Sequence, residues 1–550
     1  MLMRIITLKN CVFIYGIVLL FNVCTSNAAM HEQIGPLNAK SMAFANTVTA
    51  DPPGLMSIHY NPAGLSNFKE GQYVSINGLA AAFSIKAKFN KGAGFKSFTD
   101  PVPDPLDGKE GQNANALVYL PGADTTLKMP ALVAPSSFQI ASREKGSKWT
   151  FAFGTYIPYA GGWTFEGADN PVRYQCQYMY QEHILAAAPA ASYQLNDSLS
   201  VGASLGIGIS AMGMGMDMRA PSDLLGVIKP LGEFLKLFSA VPDGWGIGPY
   251  DDIANIDMGL NDDFTPSFNL GLLWKATDYL NFGMAYQSAT NTKLEGKYKI
   301  NYSKAFQTTI NWMGTDPLAM VIAQILQLPT YVPPEQKGTC NTEFTFPQML
   351  HFGVMFRPFK PIKLLCDAHW ANWSKAAQMR IQFDQNIPLL QLVRLFDAGG
   401  SNANTMVMNI GLQDTWHFGY ALEYEFSDSL SFRLGYEQRK SSVPHNKYSL
   451  ILPLPDLDFY ACGFSYKQKN GVVIDGGAGA FINTSYIVRN NESTMLNSTD
   501  FSNMIYNPYA GLDLEQSTLI YAGSLTVTMP LKIVTDIMYD LYKKYYPFKK

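Results

Sequence analysis

Hydrophobic and polar residues alternate along most of the chain after residue 71, with the period of two that is typical of β-strands. In the first run, one face is apolar, whereas the other carries lysine, serine and alanine. The apolar face of this run consists of Leu79, Ala81, Phe83, Ile85, Ala87 and Phe89. Similar runs recur near residues 430 and 520, where aromatic residues share one face with leucine. The pattern predicts a long series of strands, each with one apolar face.

Fourteen strands are expected, and an even number is what single-chain bacterial β-barrels require. Their connections alternate between tight turns and long loops, as in barrels of the outer membrane. We therefore predict an all-β membrane protein with a 14-stranded antiparallel transmembrane β-barrel. The predicted strands cover 72–90, 131–143, 148–158, 173–194, 198–217, 265–276, 279–300, 343–357, 360–385, 404–425, 428–440, 456–468, 471–485 and 515–530.

The N-terminus has the features of a cleaved export signal. Arg4 and Lys9 precede a short apolar run, and small residues suited to cleavage follow up to Ala29. Charged residues make up only 15% of the 550 residues and aromatic residues 13%, which suits strands that face lipid on one side. We therefore predict a signal peptide over residues 1–29 and a multi-pass barrel in the outer membrane of a Gram-negative bacterium.

The segment between the export signal and the first strand is punctuated by turn-forming residues and does not alternate. Prolines and glycines occur throughout it, and its Asn-Pro-Ala-Gly sequence has the composition of a compact turn. A lumen enclosed by fourteen strands leaks unless something fills it. We therefore predict that residues 30–71 form a hatch, or plug, inside a barrel of residues 72–531, with Asn61, Pro62 and Ala63 as its gate element.

Two of the long loops, 218–264 and 301–342, contain apolar residues at helical spacing. Ser222 can cap a helix in the first loop, and Asp316 followed by Pro317 can open one in the second. Apolar helices in exposed loops need a partner, so they either pack against each other or line a groove for a greasy ligand. The predicted groove residues are Leu224, Leu225, Ile228, Leu231, Leu235, Phe238, Leu318, Val321, Ile322 and Ile325.

The sequence gives little support to catalysis, metal binding or nucleic-acid binding. Residues 202–206 match the GxSxG of serine hydrolases, but that motif requires a strand, a sharp turn and a helix, and here it lies within an alternating strand. The histidines form no HExxH, the cysteines form no CxxC, and a net charge of −3 gives no basic footprint. We expect no enzyme, no cofactor and no metal. The disulfide pairing of the mature chain stays open for Cys176, Cys340, Cys366 and Cys462.

Several short motifs occur in a fixed order along the mature chain, from the Asn-Pro-Ala turn to the C-terminal strands. They lie at 50–51, 60–65, 153–161, 372–374, 413–416, 435–436, 442–444, 454–456 and 463–466. Together they resemble the FadL-type family of outer-membrane transporters for long-chain fatty acids and aromatic hydrocarbons. The resemblance rests on the order and spacing of motifs that are individually short.

The resemblance implies a 14-stranded barrel with an N-terminal hatch and helical extracellular loops, in agreement with the strand count. It also implies that ligand is captured between the loop helices, enters a pocket in the barrel and leaves sideways through the wall when the hatch rearranges. The expected function is passive uptake of hydrophobic compounds, with long-chain fatty acids foremost. The alternatives are an aromatic hydrocarbon transporter of the same family, a general porin and an adhesin.

A fatty acid would also need a partner for its carboxylate. Three cations predicted to face the lumen, Arg433, Lys86 and Arg173, are the candidates. The expected partners are a long-chain fatty acid or another hydrophobic small molecule, outer-membrane lipid and the barrel-assembly machinery, and the chain is expected to be monomeric. Residues 532–550 are either a C-terminal tail or an extension of the last strand.

Overall fold

The first and last long strands of the chain pair with each other, which closes the sheet into a barrel. In the computed structural model this pairing runs from Tyr73 opposite Pro530 to Lys91 opposite Leu512. The structure describes residues 38–93, 102–123, 125–220, 246–394, 400–499 and 507–545. Strand pairing throughout the wall is antiparallel, as predicted.

The wall contains fourteen strands, four of which are interrupted. The segments β10 with β11, β12 with β13, β14 with β15 and β16 with β17 each form one wall strand, whereas β2, β3 and β4 belong to the first long loop. The bounds are β1 Gly71–Lys91, β2 Glu110–Gln112, β3 Asn115–Leu120, β4 Thr125–Met129, β5 Leu132–Arg143, β6 Trp149–Thr164, β7 Tyr178–Gln194, β8 Leu199–Arg219, β9 Asp252–Thr277, β10 Leu280–Gln287, β11 Thr290–Tyr302, β12 Glu335–Phe346, β13 Met349–Phe359, β14 Ile362–Ala371, β15 Met379–Phe383, β16 Thr405–Met408, β17 Thr415–Glu425, β18 Leu430–Arg439, β19 Leu457–Lys467, β20 Val473–Val488 and β21 Leu512–Pro530.

The predicted 14-stranded barrel is confirmed, but three strands are longer than the alternation suggested. β9 begins at Asp252 and β12 at Glu335, both inside stretches predicted to be loops, and β6 continues to Thr164 instead of ending at residue 158. These extensions pair with neighbouring strands, for example Arg219 of β8 with Asp252. The β12 extension shows no apolar alternation that could have predicted it. The β9 extension does alternate, with Ala254, Ile256, Met258 and Leu260 separated by single residues that are mostly polar, so the loop predicted there is wrong.

The helices are short, except for one at the C-terminus. They are α1 Ala39–Ala43, α2 Ser57–Tyr60, α3 Lys304–Met313, α4 Pro317–Leu326, α5 Pro388–Val393 and α6 Leu531–Tyr545, with 3-10 turns at Gly54–Met56, Pro62–Asn67, Pro171–Tyr174, Trp373–Ala376 and His445–Lys447. None of the helices in the described ranges is long and apolar enough to cross a membrane.

Two predictions about helices meet different outcomes. The helix predicted at Asp316-Pro317 is α4, and the Asp316 side chain accepts from the Ala319 N–H at 2.9 Å. The helix predicted after Ser222 lies outside the described residues.

β21 ends at Pro530 and α6 begins at Leu531, so the last strand does not extend into the C-terminal tail.

Residues 38–68, called the inner segment below, are enclosed by the wall and almost entirely buried. Eight wall strands present a glycine to this segment. A Cβ atom on any of the eight would come within 3 Å of an inner-segment atom; at Gly283, for instance, it would lie 2.1 Å from the Thr49 carbonyl oxygen. The lack of a side chain at these positions therefore makes room for the segment. The eight are Gly202, Gly271, Gly283, Gly353, Gly419, Gly435, Gly463 and Gly477.

Polar side chains of the wall hold the inner segment in place. The Thr49 N–H donates to the carboxylate of Asp367 at 2.8 Å, and the Ala39 N–H donates to the hydroxyl of Thr526, also at 2.8 Å. The Asn46 side chain donates to Glu437 at 3.1 Å. Because an unpaired buried backbone group costs as much as a lost hydrogen bond, these contacts are needed to keep the segment inside the barrel.

A continuous chain of ion pairs joins the inner segment to the wall. Lys40 and Lys363 each contact Asp51 at 3.0 Å, and Lys363 also contacts Glu423 at 2.6 Å. Arg433 then contacts Glu423 and Asp475, each at 2.7 Å. Positive and negative groups alternate along this chain, so each buried charge has an opposite neighbour.

The Asp51 carboxyl is the link that belongs to the inner segment. Burial by itself would raise the pKa of Asp51, but the ammonium groups of Lys363 and Lys40 outweigh that effect and hold the pKa well below its usual value. Asp51 is therefore ionised under ordinary conditions.

Adding one methyl group at any of the eight glycines that contact the inner segment should weaken the attachment of that segment to the wall. We expect Gly283→Ala to open the lumen, because its Cβ would lie 2.1 Å from a backbone oxygen that cannot move alone. Ion conductance in planar lipid bilayers should show frequent open events. The matched control is Gly523→Ala, whose Cβ would meet nothing closer than 4.0 Å. Equal conductance of the two variants would show that the glycines do not seat the segment.

Removing the charge of Asp51 should weaken the attachment of the inner segment to the wall, and the effect should depend on pH. A carboxyl whose folded-state pKa is depressed stabilises the fold above its unfolded pKa, about 4, and that stabilisation is lost as the pH falls further. We expect Asp51→Asn to weaken the seating by on the order of 1–3 kcal/mol at neutral pH, measured as more open events than in the wild type. The difference should shrink below about pH 4; a difference independent of pH would contradict this role for the charge.

Candidate functional site: an apolar route inside the barrel

The inner segment separates the lumen into two spaces with opposite chemistry. On the side of the short turns, which is the periplasmic side in outer-membrane barrels, a cavity of about 650 Å³ is lined by the ion-pair chain and by turn residues such as Lys360 and Ser427. We call this space the vestibule. On the side of the long loops lies a second cavity, whose lining is almost entirely apolar.

Methionine dominates the lining of this second cavity, called the methionine cavity below. Seven of its eighteen lining residues are methionines, contributed by five wall strands and one loop. Leucine, isoleucine and one phenylalanine, Phe344, supply most of the rest. The seven are Met179, Met212, Met214, Met258, Met379, Met408 and Met495.

The cavity is narrow, with a volume of about 40 Å³. A long acyl chain therefore fits only if side chains move aside. Methionine is suited to this because its unbranched side chain has three rotatable bonds and adapts to irregular shapes. The lining can thus rearrange around apolar molecules of different shapes.

An aromatic cluster extends from the methionine cavity to the wall. The Phe344 ring, which lines the cavity, lies 5.2 Å from the ring of Phe346, and Phe346 lies 4.6 Å from the ring of Tyr159 on β6. Trp373 contacts both Phe344 and Tyr159 at 6.5 Å. These four rings form a continuous apolar surface from the cavity to the edge of β6.

The wall is interrupted where this surface reaches it. β5 and β6 pair only as far as Ser137 opposite Tyr156, and pairing on that side of β6 resumes at Trp163, opposite Ala116 of β3. Continuing the register past Ser137 would place Pro135 opposite Pro158. Neither proline has an N–H to donate to a ladder, so two facing prolines account for the break, which we call the window.

The Asn61-Pro62-Ala63 turn sits against β8 and β9 of the wall. The Asn61 side chain donates to the Thr49 carbonyl at 2.9 Å and to the Leu272 carbonyl of β9 at 3.0 Å, and it accepts from the Ala63 N–H at 3.2 Å. All three residues of the turn are buried. The turn therefore links the inner segment to the wall, whereas its predicted role as a gate element stays a prediction.

The predicted groove is described only in part. Leu224, Leu225, Ile228, Leu231, Leu235 and Phe238 lie outside the described residues. On α4, Val321 and Ile325 are exposed to 50% and 74%, and Leu318 and Ile322 are half-buried. An exposed apolar helix face at the mouth of the barrel is consistent with ligand capture, which stays a prediction.

The structure does not bring the three carboxylate candidates together. Arg433 lies in the vestibule and is paired with Glu423 and Asp475, and Arg173 is paired with Asp217 and Asp252. Lys86 is exposed on the outer face of β1, so the expectation that it faces the lumen is wrong. Its run lies near the loops, where the outer face meets water and is polar, while the apolar residues Ile85, Ala87 and Phe89 turn inward.

Sequence reasoning missed the methionine cavity, although one signal for it was present. Met212, Met214, Met216 and Met218 alternate along β8, and this places all four on one face of the strand. The aromatic cluster had no comparable signal, because its rings come from β6, β12 and a turn after β14 that are far apart in sequence. The four described cysteines are not paired in disulfides with one another.

Comparisons with known proteins agree with this architecture. The family described as outer membrane protein transport protein (OMPP1/FadL/TodX) matches residues 20–529. An outer membrane protein of Neisseria meningitidis is 22% identical over 468 residues, covering 83% of this chain and 88% of that protein. A long-chain fatty acid transport protein of Escherichia coli is 21% identical over 293 residues, covering 52% and 56%.

Solved structures share the fold at low sequence identity. A FadL homologue of Pseudomonas aeruginosa aligns over 91% of this chain and 100% of its own, with a TM-score of 0.64 and 15% identity. The toluene transporter TodX of P. putida aligns over 92% and 99%, with a TM-score of 0.56 and 15% identity. With a family match over most of its length, the chain belongs to the outer membrane protein transport protein family (OMPP1/FadL/TodX), whose members are transport proteins for hydrophobic compounds.

Proposed function

We propose that this protein takes up long-chain fatty acids, or hydrophobic molecules of similar shape, by passive diffusion across the outer membrane. Ligand is captured at the loop helices, enters the methionine cavity, follows the aromatic cluster and leaves through the window into the membrane. The inner segment acts as the hatch that keeps the lumen closed, with the Asn61 turn as its gate element. No step of this route requires catalysis.

One observation carries the proposal: the apolar route reaches the wall, whereas the straight route to the periplasm crosses the ion-pair chain. Each methylene removed from water stabilises a bound ligand by about 0.8 kcal/mol, so a long chain gains most where the lining is apolar. Moving the same chain past Lys363, Glu423 and Arg433 would break charge pairs without replacing them, which costs several kcal/mol. Release through the window avoids that cost.

Aromatic hydrocarbons are the second candidate ligand. The four-ring cluster of Tyr159, Phe344, Phe346 and Trp373 favours them, because stacked or edge-on aromatic contacts add about 0.5–1.5 kcal/mol to the burial of area. A toluene transporter is also among the proteins that share the fold. A general porin is disfavoured, since the cavity on the loop side is apolar and only about 40 Å³ in volume.

A charge placed in the methionine cavity should stop transport. We expect cells that express the protein in a host without its own transporter to accumulate labelled oleate, and to a lesser degree toluene. Met214→Asp should reduce this uptake at least roughly tenfold, because an unpaired buried charge is costly.

The control for this experiment is Met538→Asp on α6, where the side chain is 64% exposed. It should transport like the wild type. Failure of correctly inserted wild-type protein to take up either compound would rule out the proposed function, and normal uptake by Met214→Asp would place the route elsewhere.

Restoring the missing backbone donors should close the window. In a variant with both Pro135→Val and Pro158→Val, each strand regains an N–H, so β5 and β6 can pair further and narrow the gap. We expect uptake of oleate to fall at least roughly tenfold, while ligand binding to the purified protein stays unchanged.

Pro189→Val is the matched control, since Pro189 of β7 lies opposite Phe153 where the ladder between β6 and β7 is continuous. It should leave uptake unchanged. A barrel more resistant to heat would show that β5 and β6 pair further in the double variant. If this variant nevertheless transports normally, release does not occur between β5 and β6.

A further inference from the structure

The methionine cavity contains no charged side chain among its lining residues. Of the eighteen, only Gln181, Thr342 and Ser449 have polar side chains, and none is acidic, basic or a histidine. A carboxylate entering this cavity would therefore meet neutral groups alone. This observation bears on the form in which a fatty acid can be bound.

Two of the polar residues have unused hydrogen-bonding atoms. Gln181 on β7 and Thr342 on β12 are each exposed to only 2%. The Gln181 amide nitrogen and the Thr342 hydroxyl oxygen have no hydrogen-bond partner within the described part of the chain. Buried polar atoms are nearly always paired in folded proteins, so these two are suited to a polar group that a ligand brings with it.

Charged groups on the elements around the cavity are directed elsewhere. Glu182, which follows Gln181, accepts from the Tyr119 N–H at 2.8 Å. The His183 imidazole contacts the Ser210 hydroxyl at 3.0 Å, and Arg380, between the lining residues Met379 and Ile381, is exposed on the opposite face of β15. None of the three lines the cavity, so none is placed to neutralise a carboxylate there.

We propose that the cavity binds its ligand only in an uncharged form, with Gln181 and Thr342 as the subsite for the polar head. The Gln181 amide donates to an oxygen of the head group, and the Thr342 hydroxyl accepts from or donates to it. Suitable heads are an alcohol, a ketone, an ester or an undissociated carboxylic acid. A fatty acid is thus bound protonated, and its anion is rejected because no cation compensates its desolvation. The inference rests on the proposed function and narrows its ligand class.

Three probes of equal chain length test this selectivity: 1-dodecanol, dodecanoate and dodecane. Binding of each labelled probe to the purified full-length protein in one detergent is followed by scintillation proximity. At about pH 8, where carboxylic acids are ionised, dodecanol should bind at least roughly tenfold more tightly than dodecanoate.

The pH dependence supplies a second measurement. A carboxylic acid gains its proton as the pH falls toward about 4–5, so the affinity for dodecanoate should rise between about pH 8 and 5 and approach that for dodecanol. Dodecanol has no titrating group, and its affinity should stay constant over the same range. A change in dodecanoate binding with no change in dodecanol binding therefore reports on the ligand and not on the protein.

Two variants of one residue locate the subsite. Gln181→Leu should lower the affinity for dodecanol toward that for dodecane, because the donor is lost while the cavity stays apolar. Gln181→Lys should raise the affinity for dodecanoate at about pH 8 several-fold, since it supplies the missing cation. The matched control is Gln382→Leu, an exposed glutamine on the outer face of β15, which should bind all three probes like the wild type.

The outcomes separate the inference from the proposed function. If dodecanoate binds as tightly as dodecanol at about pH 8, the uncharged-ligand inference is overturned while hydrophobic uptake stands. If Gln181→Leu binds dodecanol as the wild type does, the subsite is not at Gln181, and the inference is likewise overturned. If none of the three probes binds to the folded protein, the proposed function fails and the inference fails with it.

Discussion

The close packing of the inner segment against the barrel wall is the constraint on which the rest of the molecule depends. A lumen of fourteen strands must be filled, and here it is filled by a segment that contacts the wall directly at eight glycines. That closeness lets polar side chains of the wall reach buried N–H groups of the segment, as Asp367 does with Thr49. The ion-pair chain through Asp51 fixes the same segment on the periplasmic side. The glycines make the contact sterically possible, and the polar groups make it stable.

Because the inner segment is packed in this way, it separates the vestibule with its ion-pair chain from the apolar methionine cavity. The ion-pair chain lines the vestibule, and the methionine cavity on the other side has no charged residue in its lining. An apolar molecule that enters from the loops therefore finds favourable contacts until it reaches the inner segment. In the proposed route, the aromatic cluster then leads it to the window, where the ladder between β5 and β6 ends and two prolines would face each other. In the proposed passive uptake, favourable burial sets the route of the ligand, and the concentration gradient of the ligand sets the direction.

Much of the fold could be predicted from the sequence, whereas most of the site could not. Period-two alternation and turn residues predicted fourteen wall strands, because lipid on one face of a strand imposes that pattern. The strand extension of β12 carries polar residues on both faces and could not be predicted from alternation, whereas the β9 extension has an apolar face that includes Met258 and Leu260 of the methionine cavity. The window was equally hidden, since it arises when Pro135 and Pro158 are brought into register by pairing that the sequence does not specify. The strand that contains Lys86 was predicted correctly, but the side of the wall that Lys86 faces was not. Near the loops, the face of a strand that turns inward depends on the whole barrel and not on the strand alone.

The central claim is that hydrophobic ligand passes from the methionine cavity to the window and does not enter the vestibule. The most direct test is photolabelling of the full-length protein in membranes with a fatty acid that carries a diazirine near its tail, followed by mass spectrometry of the labelled peptides. The account predicts label on Met214, Phe344, Phe346 and Tyr159, and on the β5 edge near Pro135. Label concentrated on Lys40, Asp51 and Lys363, with none at the window, would contradict it.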